Sequence, residues 1–206
     1  MDNLTHSLVG AILGQMGLKR KTGLAMPALM IATNLPDIDA PCVFYGVEAL
    51  AMRRGLTHGP LALLVLPLAL TGALVGYDRW QARRGKRPAE RLPVNGLWLW
   101  ALCVLGMLSH LLFDWLNSYG IRLLEPFSAQ WYYGDALFII DPWLWATLVA
   151  GIWLSRRAAR HARTDWSRPA VIAVVAILGY TALNIGISRL ATMRVLGEAP
   201  YPQVAV

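Results

Sequence analysis

Along this chain apolar residues come in long runs, and the charged residues are gathered between them. Six runs can be marked: Leu4–Leu18, Gly23–Leu35, Leu61–Tyr77, Leu97–Leu116, Ala136–Leu154 and Ala170–Ser188. The last four approach the ~20 apolar residues that a helix uses to cross a bilayer core. At ~1.5 Å of rise per residue the first two reach only partway, so they read as a tilted or re-entrant pair. Gly10 and Gly14 stand four apart in the first run, a spacing that lets a helix approach its neighbour closely. The pattern predicts an all-α, polytopic transmembrane helical bundle of about six membrane segments. Its transmembrane domain covers residues 1–189, and 190–206 form a short tail on the outer side.

The sidedness comes from lysine and arginine, which gather in cytoplasmic loops. Lys19, Arg20 and Lys21 follow the first run. Arg79, Arg83, Arg84, Lys86, Arg87 and Arg91 follow the third, and Arg156, Arg157, Arg160, Arg163 and Arg168 follow the fifth. Six alternating segments place all three clusters on one side, the cytoplasm, with both termini outside. Arg53, Arg54, Arg122, Arg189 and Arg194 then lie on the outer side.

Composition agrees with a membrane assignment: 56% of residues are hydrophobic and 15% charged, against about 25% charged in soluble domains. The net charge of +7 is spread over topology-setting loops rather than a phosphate-binding face, so nucleic acid is not an expected partner. Of two cysteines, Cys103 lies within an apolar run and Cys42 is distant in sequence, which argues against a disulfide or a thiolate metal site. The opening residues, MDNLTHS, lack a basic n-region and read as mature sequence rather than a signal peptide.

The unusual polar residues all fall at the outer ends of the runs. His6 opens the first. Asp37 and Asp39 follow the second in NLPDID, and His58 precedes the third in RGLTHG. His110 and Asp114 occupy the outer half of the fourth, and Asp141 stands in FIIDPW at the fifth. Three of the four histidines belong to this set; the fourth, His161, lies in a basic loop. Ionisable groups within spans are costly and usually functional. Imidazole and carboxylate together are ligands for a divalent metal such as Zn, Mn, Fe or Mg. The four-residue spacing of His110 and Asp114 puts both on one helical face. Asp37 and Asp39 follow Pro36, where a turn aims both inward or leaves one holding a histidine tautomer. Plainer roles compete: Asp39 or Asp141 capping a helix, Thr5 and Thr57 acting as N-caps, and Arg53, Arg54 and Arg122 pairing with Glu48 or Glu125 rather than holding a phosphate.

Taken in order, DNLTHSLVG, NLPDID, RGLTHG, SHLLFDWLNSYG, LLEPFS and FIIDP resemble the YdjM-like family of bacterial inner-membrane-bound metal-dependent hydrolases. The resemblance covers nearly the whole chain and carries the family pattern onto His6, Asp37, Asp39, His58, His110, Asp114 and Asp141. Gly59 departs from it, where a serine is expected after the Thr-His pair. The resemblance implies hydrolysis by metal-activated water at the outer face of the inner membrane. The metal ligands are then His6, Asp39, His58, His110 and Asp114, with Asp37 and Asp141 as general base or supporting carboxylates. Seven candidates exceed the three protein ligands of a catalytic zinc, so one or two divalent ions are expected, zinc foremost. A site at outer helix ends is reached laterally by lipid, which favours a lipid or lipid-linked phosphoester, with Arg53, Arg54 and Arg122 binding its anionic group. Ester and amide bonds are the alternatives. A divalent-metal transporter and a structural membrane protein stapled by its metal are the rival classes.

Overall fold

The computed structural model describes residues 1–45 and 54–198. Among them lie six α-helices and no strand, only two isolated β-bridges in one loop. The helices are α1 (Asn3–Gln15), α2 (Ala25–Ala32), α3 (Pro60–Arg83), α4 (Gly96–Leu116), α5 (Pro142–Arg160) and α6 (Arg168–Glu198). Short 3-10 segments cover Leu18–Arg20, Leu35–Tyr45 and Leu56–His58. Three helices, α3, α4 and α6, are long and apolar enough to cross a membrane. Their outward leucines and valines, such as Leu64 and Val175, are more than 60% exposed, as expected of a surface that faces lipid.

The first two helices are short for local reasons. Asp2 caps α1, its carboxylate accepting from the Thr5 amide at 3.0 Å, so the cap is Asp2 rather than Thr5. The Thr5 hydroxyl instead accepts from Trp145 Nε1 at 2.7 Å, tying α1 to α5. The helix stops before Gly17, whose φ of 114° only glycine adopts readily. α2 follows after nine residues, which include the 3-10 segment Leu18–Arg20, and contains only small and apolar residues. Ala28, Leu29 and Ala32 are fully buried there because backbones approach α2 from both sides. A Cβ on Gly10 of α1 would lie 2.9 Å from the Leu29 carbonyl oxygen, and one on Gly106 of α4 would lie 2.7 Å from Ala32 Cβ. Small residues at helix crossings are the usual means of such packing within membranes. α2 is thus wedged between α1 and α4; α3 packs on α4, and α5 on α1 and α6.

The long helices begin within two residues of their apolar runs, and α6 continues to Glu198, ten residues past Ser188 and into the expected tail; the fifth run departs from its helix. Its helix begins at Pro142, six residues after the expected start at Ala136. The preceding residues serve another purpose. The amides of Gly134, Ala136 and Leu137 donate to the last carbonyls of α4, those of Trp115 and Leu116. A helix end leaves such carbonyls without partners, and residues 117–141 fold back over α4 to supply them. What remains of α5 carries Arg156, Arg157 and Arg160 in its final turns. It is not among the three helices apolar enough to cross.

Candidate metal centre

The ends of α1, α2 and α4, with the segments before α3, bring the polar residues together. His110 lies one turn before Asp114 on the buried face of α4. His58 arrives on the 3-10 turn Leu56–His58, and Asp37 on the 3-10 segment that follows α2. Asp37, His58, His110 and Asp114 each present a ligand atom, and these atoms all lie within 4.8 Å of one another. His58, His110 and Asp114 are at most 1% exposed.

The protons on the two histidines are fixed by their outer partners. His110 Nδ1 lies 2.7 Å from the carbonyl oxygen of Thr33, at the C-terminus of α2. A carbonyl only accepts, so Nδ1 carries the proton and Nε2 keeps a lone pair. The Thr57 hydroxyl lies 2.9 Å from Asp39 Oδ2 and 3.0 Å from His58 Nδ1. Its single proton goes to the carboxylate, so it accepts from His58 Nδ1–H, and His58 Nε2 is again the lone-pair nitrogen. The two Nε2 atoms face each other at 3.1 Å. Asp114 Oδ2 lies 3.5 and 3.4 Å from them, and Asp37 Oδ1 4.0 and 3.9 Å. Asp114 Oδ2 has no hydrogen-bond donor of its own.

With both rings neutral, four acceptors converge with no donor among them, three of them on buried residues, where an unmet polar atom costs ~1–3 kcal/mol. A cation satisfies all four at once. A tetrahedral zinc with ~2.0–2.1 Å bonds sets its ligand atoms ~3.3 Å apart, close to three of the distances here. The donor set, two imidazoles and two carboxylates, suits a borderline divalent ion.

His6 stands beside this group rather than in it. Its ring stacks on that of His110 with centroids 3.8 Å apart, and its Nε2 lies 3.3 Å from Asp114 Oδ1. Neither ring nitrogen makes a hydrogen bond. The Met1 amine also contacts Asp114 Oδ1. Asp39 is on the far side of His58: its Oδ2 accepts from Thr57 and from the Arg54 amide at 2.8 Å. Asp141 is elsewhere, at the start of α5. There Oδ1 accepts from the Trp143 and Leu144 amides and Oδ2 from the Tyr180 hydroxyl, which is the capping role rather than a place in the cluster.

Of the three arginines, Arg53 lies outside the described residues. Arg54 Nε is 3.7 Å from Asp114 Oδ2, and Nη1 donates to the Gly120 carbonyl at 3.0 Å and to Asn117 Oδ1 at 3.3 Å. Arg122 pairs with Glu125 at 2.9 Å and stacks over Trp131. Glu48, the other acidic residue near Arg53 and Arg54 in sequence, lies outside the described residues. Gly59 also finds its reason: a Cβ there would run into the carbonyl oxygen of Glu125, so the loop after Arg122 occupies the space that the expected serine would take. Sequence reasoning did not single out Thr33, which contributes through its backbone carbonyl. Thr57, expected as an N-cap, is not one: Gly55 caps the 3-10 turn and Gly59 caps α3, and the Thr57 hydroxyl joins Asp39 to His58 instead.

The chain belongs to the YdjM inner membrane protein family, which matches residues 1–190; the family's description names a location and no reaction. The chain is also similar to the uncharacterized protein YfhP of Bacillus subtilis (strain 168), at 28% identity over 162 residues. That match covers 74% of this chain and 45% of YfhP, so the chain spans less than half the length of this curated relative. No solved structure matches.

Proposed function

We propose that the chain is a membrane-embedded, metal-dependent hydrolase that acts at the outer face of the inner membrane on a lipid or lipid-linked substrate. The observation that carries this reading is the meeting of four acceptors without a donor, His58 Nε2, His110 Nε2 and Asp114 Oδ2 on buried residues and Asp37 Oδ1 on a half-buried one. A divalent ion held there would supply Lewis acidity and would lower the pKa of a bound water to about 7.

The protein's own residues have distinct tasks. Asp37, His58, His110 and Asp114 would hold the ion. Thr33 and Thr57 keep each imidazole in the tautomer that offers Nε2, and Asp39 orients Thr57; partners of this kind set ligand direction and basicity. Asp37 and Asp39 thus exchange the roles that the sequence suggested for them. Asp114 turns its second oxygen toward His6, so a second ion, where one is held, would take His6 and Asp114 as ligands. Asp141 holds α5 in place and takes no part in the chemistry. Among the described residues, Arg54, beside Asp114, is the arginine placed to meet an anionic group entering the centre.

Two features support a lipid-like substrate. A hollow of about 310 Å³ opens between α3 and α4 and is lined by His58, Gly59, Leu63, Leu108, Leu111 and Leu112. It gives an acyl chain a lateral path to the edge of the centre. The second is the clustering of Lys and Arg in the loops at the opposite end of the chain's helices, which we take as the cytoplasmic side, so that the path opens toward the outer leaflet.

The deep burial of the ligands favours one rival, an ion that only staples α4 to the segments before α3. Both readings are separated by incubating the purified chain in lipid nanodiscs with phospholipids and lipid-linked phosphoesters, with and without a chelator. Water-soluble product that is lost with chelator and restored by zinc supports hydrolysis. A chelator that lowers the melting temperature, with no product released under any condition, establishes the staple instead.

A further inference from the structure

At the end of the bundle opposite the metal centre, α1 and α5 present matching stripes that run from apolar to basic. On α5, Val149, Ile152, Arg156 and Arg160 follow at helical spacing. On α1, Leu8, Ala11 and Gln15 do the same, and Lys19 continues beyond the helix. Between and beside the stripes lie two hollows that share Ile152, Arg156 and Arg160. One, of about 600 Å³, has Leu8 and Val149 along it and His161 at its end. The other, of about 500 Å³, has Met26 and Met30 along it and Lys19 at its end.

No acidic residue lines either hollow, and among the described residues no Asp or Glu pairs with Arg156 or Arg160. The one carboxylate nearby, Asp165, is engaged by Arg163 at 2.9 Å. The neighbouring cations are crowded rather than neutralised. Lys19 and Arg20 both lie over the Trp166 ring, at 4.4 and 4.5 Å. Burial, with Arg20 and Arg156 adding to it, holds the Lys19 ammonium below its ordinary pKa.

We propose that these paired hollows bind one anionic phospholipid, its phosphate on Arg156 and Arg160 and its acyl chains against the apolar walls on either side. Guanidinium forks are the groups best suited to bidentate phosphate contact. Basic pockets between membrane helices on the cytoplasmic side recognise anionic headgroups in this way. The orientation set by the basic loops puts the hollows in that leaflet. This lipid is a resident of the far leaflet, distinct from any substrate of the metal centre.

The test is native mass spectrometry of the delipidated full chain in detergent, titrated with phosphatidylglycerol or phosphatidylcholine. Phosphatidylglycerol should be retained in clear preference. The Arg156→Gln, Arg160→Gln double variant should weaken it by about fivefold per arginine removed, from ~1 kcal/mol per basic residue. The Arg79→Gln, Arg83→Gln variant removes the same charge from the basic end of α3 and should leave retention unchanged. Unchanged metal content in both variants, read at the other end of the bundle, reports that they are folded. Equal retention of the two lipids, or equal losses in the two double variants, overturns the proposal. Excess inorganic phosphate that displaces the lipid with the same dependence on Arg156 and Arg160 would reassign the site to a free anion.

Discussion

Thr57→Val is the perturbation that most narrowly tests how the metal centre is assembled. Valine keeps the shape of threonine and removes only the hydroxyl. That hydroxyl joins Asp39 Oδ2, at 2.9 Å, to His58 Nδ1, at 3.0 Å. Without it, His58 Nδ1–H loses its acceptor and the ring no longer has one fixed tautomer, while Asp39 keeps its bond from the Arg54 amide. Loss of such an outer partner typically costs 10–100-fold in metal affinity, or about 1.4–2.7 kcal/mol. The stability of the metal-free fold should fall by only ~1 kcal/mol, the net worth of one hydrogen bond. The assay is competition for zinc against a chromophoric chelator in detergent, comparing wild type, Thr57→Val and Thr57→Ser. The serine variant restores the hydroxyl and should recover most of the affinity. Wild-type affinity in Thr57→Val would refute the relay, as would equal losses in the valine and serine variants.

Other outcomes follow from the same geometry. His6→Ala should spare the ion held by the group of four while lowering the total metal content, whereas Asp114→Ala, which faces both positions, should weaken binding at both; metal titration of the purified variants distinguishes them. Asp141→Ala should leave metal content unchanged and reduce thermal stability by about 1 kcal/mol, the usual worth of an N-cap, read as a shift of the unfolding midpoint. Gly10→Ala should destabilise by ~1–3 kcal/mol, as overpacking does, because the new Cβ lies 2.7 Å from Thr33 Oγ1 and 2.9 Å from the Leu29 carbonyl. Its metal affinity should fall too, since Thr33 holds His110.

The sequence was informative where one residue type and one period decide the outcome. The apolar run Leu97–Leu116 became a helix over Gly96–Leu116, because hydropathy and 3.6-residue spacing act locally. His110 and Asp114 were legible for the same reason: a helix fixes their separation. The short first two segments could also be read, and Gly10 does make the close approach that its spacing implied. Legibility ended where tertiary contacts decide. Ala136 and Leu137 are as apolar as any span residue, yet their amides serve the last carbonyls of α4, and no pattern in the run announces that. Asp37 and Asp39 are two residues apart in a 3-10 segment; which of them faces the histidines depends on where Thr57 arrives from another part of the chain. The Thr33 carbonyl leaves no trace in the sequence, since every residue carries one. The expected serine at position 59 failed on a single backbone oxygen, that of Glu125.

The central claim is that Asp37, His58, His110 and Asp114 together hold a divalent metal. Its most direct test is the metal-to-protein ratio, by inductively coupled plasma mass spectrometry, of the chain purified without chelator and of the His58→Ala, His110→Ala variant. Either histidine alone leaves three donors, so the double variant is the decisive one. The account predicts at least one equivalent of a divalent transition metal in the wild type and less than about a tenth of that in the variant, as loss of two of four ligands implies. A folded wild-type protein that holds no metal, or a double variant that keeps it in full, would contradict the account.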